Sequence, residues 1–78
     1  MEDKRIRRNL YRVLRKTGVQ KNDIQLSASY IHDLNFDKVD WQIFTYYLEG
    51  IFDISLRDEE LLNFWSVNDT LQYLRNTA

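Results

Sequence analysis

The sequence predicts an all-α fold: a small bundle of three main helices plus one short helix, in a single domain over residues 1–78. Three observations carry this prediction. Apolar residues recur at helical spacing in separate segments, and residues that start or stop helices flank those segments. The chain contains no proline and no cysteine, so we expect no disulfide framework. With 44 % apolar residues, 78 residues can form one core of limited size.

The first helix is predicted near the N-terminus and ends before Gly18, because glycine commonly terminates helices. Its apolar face follows helical spacing and consists of Ile6, Leu10, Val13, Leu14 and Thr17. A long loop follows over residues 19–36, and loops of such length in small domains are often functional. We expect its apolar side chains to pin it to the core: Val19, Ile24, Leu26, Tyr30, Ile31, Leu34 and Phe36.

The second helix is predicted from Lys38 to Phe52, with Asp37 as its N-cap and Asp40 in its first turn. One face fits the core, namely Trp41, Phe44, Leu48 and Phe52. A second apolar set lies elsewhere on the helix: Val39, Ile43, Tyr46 or Tyr47, and Gly50. Two interpretations stay open. The long loop and the first helix cover this second set, or the set is an exposed aromatic surface for a protein partner.

Two further helices complete the predicted bundle. A short helix is expected near Asp58–Phe64, where three acidic residues suit a helix N-terminus. The spacing Ser66-x-x-Asp69 resembles a capping box and predicts the start of the last helix. Its core face would be Val67, Leu71 and Leu74.

One segment carries a motif. Residues 33–40 read Asp-Leu-Asn-Phe-Asp-Lys-Val-Asp. They resemble the prosthetic-group segment of acyl carrier proteins, Asp-Leu-Gly-x-Asp-Ser-Leu-Asp, whose serine carries a 4′-phosphopantetheine arm. The resemblance continues in the same order along most of the chain, through Gly18-Val19, Asp23-Ile24, Ala28–Leu34, Phe52–Glu59 and Ser66–Leu74. It implies a carrier-like fold and a non-enzymatic role in fatty-acid, polyketide or peptide biosynthesis.

Lys38 occupies the position of the attachment serine, flanked by Asp37, Val39 and Asp40. In the family the serine hydroxyl attacks the pyrophosphate of coenzyme A inside a transferase. A lysine amine on an exposed surface is protonated and cannot take that role. We therefore predict a vestigial attachment position, no bound 4′-phosphopantetheine and no other cofactor. The alternative is a working carrier with an arm at another residue.

The resemblance also indicates a docking surface, since family members present their second helix to partner enzymes. The candidate docking residues are Lys38, Val39, Ile43, Tyr46, Tyr47 and Glu49. The expected partner is a protein, either a biosynthetic enzyme or a second copy of the chain.

The net charge of −1 conceals a segregation of charge. Residues 1–17 contain seven basic and two acidic residues, whereas residues 18–78 contain four basic and ten acidic ones. A basic face recurs at helical spacing along the first helix: Arg5, Arg8, Arg12 and Arg15. It is either a solvated face paired with the acidic body, or a binding surface for an acidic protein patch or another anionic surface. Nucleic-acid binding is disfavoured because the whole chain is not basic and no binding motif accompanies the stripe.

Other chemistry is not indicated by the sequence. His32 is the only histidine, and without cysteines it has no metal-site spacing. The serines lack a neighbouring base, so we predict no catalytic residue. No apolar run approaches the length of a membrane span, and no signal peptide is recognisable. Together with the absence of cysteine, this leads us to expect a cytoplasmic location.

Overall fold

The computed structural model describes residues 3–77, which form four α-helices and one 3₁₀ turn. The helices are α1 (Asp3–Thr17), α2 (Lys38–Phe52), α3 (Asp58–Leu61) and α4 (Val67–Thr77), and the 3₁₀ turn is Lys21–Asp23. Over residues 3–77 there is no strand, only an isolated antiparallel bridge between Ser29 and Ser66. The all-α prediction is confirmed, and α2 has both of its predicted ends.

The end of α1 is a Schellman motif. The Val19 amide donates to the Leu14 carbonyl at 3.0 Å, and the Gly18 amide donates to the Arg15 carbonyl at 3.1 Å. Gly18 adopts a φ of 112°, which glycine reaches without the steric cost that a Cβ imposes. The predicted stop at Gly18 is confirmed.

The core lies where α1 packs against α2 and α4. Every apolar residue predicted at its centre is buried: Leu10, Val13, Leu14, Phe44, Leu48, Phe52, Val67, Leu71 and Leu74. Full burial of one such side chain contributes about 1.5–3 kcal/mol. The three long helices therefore stabilise one another through shared apolar contacts.

Tyr30 anchors the long loop to this core. Its side chain is fully buried, and its hydroxyl forms a 2.6 Å hydrogen bond with the Thr70 hydroxyl on α4. Its ring lies 5.1, 5.0 and 5.3 Å from the rings of Phe36, Trp41 and Phe44. Burial raises the pKa of the Tyr30 hydroxyl because the phenolate would lose its hydration. The loop is ordered because this aromatic cluster ties it to α2 and α4 together.

Backbone hydrogen bonds join the same loop to the start of α4. The Tyr30 amide donates to the Trp65 carbonyl at 3.0 Å. Two further bonds of this kind run from Val67 to Ala28 at 3.0 Å and from Asn68 to Leu26 at 2.9 Å. The loop and the segment before α4 thus satisfy each other's backbone groups without a sheet.

Three residues assigned to apolar faces are less buried than predicted. Ile31 is 54 % exposed, so the prediction that it pins the loop is wrong. Its neighbour Tyr30 occupies the core, and the turn that follows leaves Ile31 in solvent. Thr17 and Trp41 are half-buried. The Thr17 hydroxyl donates to the Val13 carbonyl at 2.8 Å, which satisfies it at the edge of the core.

Helix α3 is shorter than predicted because residues 62–63 form a turn and Phe64 enters the core. Its single turn is held by Glu60. One carboxylate oxygen of Glu60 accepts from the Arg57 amide at 3.0 Å, and the other accepts from the Tyr73 hydroxyl on α4. The Tyr73 hydrogen bond is the main cause of a lowered pKa at Glu60. Helix α3 is therefore positioned by a polar contact with α4.

Candidate functional site at the start of α2

The start of α2 is built by two aspartates. Asp37 is the N-cap, and its Oδ1 accepts from the Asp40 amide at 2.9 Å. In turn, Asp40 Oδ2 accepts a hydrogen bond from the Asp37 amide at 3.1 Å. This reciprocal pair is a capping box and satisfies two amides that a helix start leaves unpaired. Lys38 is the first helical residue, and its side chain is exposed.

The turn before α2 has a left-handed residue. Asn35 has a φ of 55°, and it stands where the carrier motif has glycine. Asparagine tolerates this conformation better than most residues with a side chain. The next residue, Phe36, is buried, and its amide donates to the Tyr30 carbonyl at 2.8 Å. The left-handed turn at Asn35 thus leads from the loop to the buried Phe36 and the start of α2.

A second turn precedes this one. The Ser29 amide donates to Asp33 Oδ2 at 2.7 Å, and the Ser29 hydroxyl accepts from the His32 amide at 3.1 Å. The Ser29 carbonyl accepts the amides of Asp33 and Leu34, each at 3.0 Å. Ser29 and Asp33 are thus engaged in holding the loop. The side chain of His32 is exposed, and only its backbone amide takes part in this turn.

The residues present at the start of α2 do not fit a 4′-phosphopantetheine arm. The arm needs a hydroxyl for its phosphodiester bond, and residues 34–44 contain no serine, threonine or tyrosine. The nearest hydroxyls along the chain are those of Tyr30 and Thr45. The first is buried and bonded to Thr70, and the second is buried without a hydrogen-bond partner. The attachment position itself is occupied by the exposed side chain of Lys38, which carries an amine and no hydroxyl.

The structure divides the six candidate docking residues into two groups. The exposed group is Lys38, Val39 and Tyr46. The half-buried group is Ile43, Tyr47 and Glu49. Val39 and Tyr46 are 58 % and 72 % exposed, which is high for side chains with so much apolar surface. The second apolar set of α2 is therefore partly covered and partly exposed, and its use as a docking surface stays a prediction.

Two members of the half-buried group are engaged inside the chain. Tyr47 packs against the core, and the Lys16 ammonium lies 5.4 Å from its ring centroid. Glu49 Oε2 accepts from the Leu56 amide at 2.6 Å, which fixes the link between α2 and α3. Their side chains stabilise the fold and offer less to a partner than Val39 or Tyr46 does.

Sequence reasoning missed two exposed apolar residues outside α2. Trp65 is 71 % exposed and Leu62 is 78 % exposed. The hydrogen bond from the Tyr30 amide to the Trp65 carbonyl places the Trp65 backbone beside that of Tyr30. For Leu62 the available signal was the pair Leu61-Leu62 in the segment predicted as helical, since adjacent helical positions cannot face the same side.

The four arginines of the basic face, Arg5, Arg8, Arg12 and Arg15, are all exposed. Over residues 3–77 the ion pairs involve other arginines: Arg7 and Arg75 with Asp3, and Arg57 with Glu59 and Glu60. The basic face is therefore solvated, as the simpler interpretation expected. Over residues 3–77 no ion pair joins this face to the acidic body, so the pairing that this interpretation included is not found there.

Within residues 3–77, no three His, Cys, Asp or Glu side chains are grouped closely enough to hold a metal ion. Among the same residues, no helix has the length and apolar character that crossing a membrane requires.

No protein-family model matches the chain. The chain is, however, 30 % identical to the acyl carrier protein of Kocuria rhizophila over 61 residues. The matched segment covers 78 % of this chain and 75 % of that protein. Both chains are therefore similar over most of their lengths, in agreement with the motif at the start of α2.

Proposed function

Because this chain belongs to the acyl carrier protein family, we propose that it acts as a carrier-like docking module without a phosphopantetheine arm. It is a carrier-type protein rather than an enzyme. The observation that carries the proposal is the start of α2, where Asp37 and Asp40 form a capping box and the exposed Lys38 directly follows Asp37. The recognition element is retained while the hydroxyl that forms the phosphodiester is absent.

The exposed apolar residues of α2 support docking as the role of this element. Val39 lies next to Lys38, and Tyr46 lies two turns further along the helix. Its ring packs edge-on against the Tyr47 ring with centroids 5.3 Å apart, so its position is restricted before any partner binds. A large side chain that is already restricted loses little entropy on binding. The proposed partner is a protein of fatty-acid, polyketide or peptide biosynthesis in the cytoplasm, or a second copy of the chain.

The alternative is a working carrier whose arm is attached elsewhere. The exposed serines that could accept it are Ser27 and Ser55, because the hydroxyls of Ser29 and Ser66 accept hydrogen bonds within turns. Ser55 lies in the link between α2 and α3 and not at the start of a long helix. The surroundings of Ser55 therefore lack the helix N-terminus that the motif places at its serine.

The docking proposal is tested by affinity capture from an extract of the protein's own cells. The test variant is Val39→Glu with Tyr46→Glu, and both positions are exposed. The control is Gln72→Glu with Asn76→Glu, which also introduces two glutamates, but at two exposed positions of α4. We expect wild type and control to capture the same partner and the test variant to lose it. Circular dichroism shows whether each variant is folded.

Equal capture by all three proteins would contradict docking through α2. If the partner is a second copy, sedimentation will show an oligomer that only the test variant loses.

A further inference from the structure

We propose that the outward face of α1 is a second docking surface, which binds an acidic amphipathic segment of a partner protein. We call it the basic groove. It is defined by its cationic residues: Arg5, Arg8, Arg12, Arg15, Lys16 and Lys21. It lies on a different helix from the start of α2, so this proposal does not depend on the function proposed above.

The basic groove follows from the helical period of α1. Ile6, Leu10 and Val13 are buried against α2 and α4, and the arginine stripe lies on the opposite side of the helix. The 3₁₀ turn brings Lys21 alongside, which gives the surface its concave shape. Among residues 3–77, no acidic residue lines it. Six cations therefore share one continuous surface.

This positive charge is not neutralised within the described part of the chain. Every ion pair found over residues 3–77 uses Arg7, Arg57 or Arg75, none of which lines the basic groove. Lys16 makes a cation–π contact with Tyr47, which leaves its charge in place. Neighbouring like charges on one helix face are mutually destabilising. An anionic occupant would remove that repulsion.

The floor of the basic groove decides which anionic occupant fits. Tyr11 and Ile24 line it, both half-buried, and the aliphatic stems of the arginines add further apolar surface. Phosphates and lipid headgroups would use the cations and leave this floor uncovered. An amphipathic segment can cover the floor with apolar side chains while its carboxylates reach the guanidinium groups, often in bidentate pairs.

The spacing of the arginines fits the same occupant. Successive residues of the stripe Arg5, Arg8, Arg12 and Arg15 are separated by three or four positions. Each step therefore rises about 5 Å along the helix axis. Carboxylates on one face of a partner helix have the same rise. The geometry thus favours a helical acidic segment lying along α1.

The test uses the whole protein and a labelled synthetic helix of about 15 residues, similar in length to α1. Its leucines form one stripe and its glutamates flank that stripe. A peptide of the same composition in scrambled order is the control for charge alone. Binding is measured by fluorescence anisotropy at low salt. The variant is Arg12→Glu, and the matched control is Arg57→Glu, an equal charge reversal at an exposed site outside the basic groove.

We expect the amphipathic peptide to bind, and Arg12→Glu to weaken its Kd by about tenfold or more because it places like charges opposite each other. Arg57→Glu should bind like wild type, and the scrambled peptide should bind more weakly because it cannot cover the floor. Added salt should weaken binding. Circular dichroism of Arg12→Glu confirms that the fold is retained.

Four results would overturn the proposal: no binding of the amphipathic peptide, equal binding of the scrambled peptide, tighter binding of phosphatidylserine vesicles or of a DNA duplex, or equal loss in both variants. A wild-type dimer that Arg12→Glu dissociates would also overturn it, since the occupant would then be a second copy of the chain.

Discussion

Helices α1 and α2 have the same length, 15 residues, and bury apolar faces in the same core, yet their outward faces differ. The outward face of α1 is cationic and separates cleanly from its apolar face. The outward face of α2 carries exposed apolar side chains, Val39 and Tyr46, beside Lys38. The comparison teaches that the fold constrains only the inward face of each helix. The outward faces are free to serve as different binding surfaces.

The largest expected effect tests the inward face of α2. Leu48 is fully buried, so Leu48→Ala should lower the free energy of unfolding by about 2–5 kcal/mol. Tyr46 is only two residues away and 72 % exposed, so Tyr46→Ala should change it by about 0.5 kcal/mol or less. Urea titration of both variants measures this contrast. A loss below about 0.5 kcal/mol for Leu48→Ala would break the distinction between the two faces of α2.

The next-largest expected effect tests the long loop that Tyr30 anchors. This loop supports α2, and α1 has no such support. Tyr30→Phe removes the hydrogen bond to Thr70 and leaves that buried hydroxyl without its partner. We expect a loss of about 1–3 kcal/mol in the free energy of unfolding. Adding Thr70→Val should recover part of it, because the unpaired group is then gone. A double-mutant cycle by urea titration measures the coupling, and additive losses would mean that the two hydroxyls do not interact.

Burial of the Tyr30 hydroxyl also makes the stability of the folded protein depend on pH. The folded protein holds the hydroxyl neutral, because burial raises its pKa above the ordinary value of 10.0. The stabilisation is fully present below that ordinary value and is lost as the pH rises from it toward the higher pKa of the folded state. Wild type should therefore lose stability above pH 10.0 more steeply than Tyr30→Phe. Parallel slopes for the two proteins would contradict the assignment.

A smaller effect tests the turn that leads into α2. Asn35 has a left-handed backbone, so Asn35→Ala should cost about 1–2 kcal/mol. Asn35→Gly should be close to neutral, because glycine adopts the conformation freely but leaves the unfolded chain more disordered. Thermal unfolding of both variants distinguishes them. Equal stability of Ala and Gly at this position would show that the turn does not require the left-handed conformation.

The same comparison explains what the sequence could predict. The inward faces of α1, α2 and α4 follow from helical periodicity. The start of α2 follows from its N-cap Asp37, and its last residue, Phe52, belongs to the periodic core face. The loop has no such period, so nothing distinguished the buried Tyr30 from the exposed Ile31 beside it. The exposure of Val39 and Tyr46 was not predictable either, because apolar residues surround α2 on most sides and only tertiary packing decides which of them are covered.

The candidate site likewise has features that the sequence predicted and features that it did not. The motif located the start of α2, and the sequence predicted Asp37 as its N-cap with Asp40 in its first turn, whereas the structure adds that the two form a reciprocal capping box. The internal role of Glu49 was not, because its partner is the backbone amide of Leu56 in a segment without a recognisable pattern. The concave shape of the basic groove depends on where the 3₁₀ turn packs, which the periodicity of α1 does not contain.

The central claim is that the start of α2 keeps the shape of a carrier attachment site without its chemistry. The most direct measurement is the intact mass of the protein after incubation with coenzyme A and a promiscuous phosphopantetheinyl transferase. We predict that wild type keeps its mass and that Lys38→Ser gains one phosphopantetheine arm, because the capping box of Asp37 and Asp40 still presents residue 38. A stoichiometric gain of one arm by the wild-type protein would contradict the account.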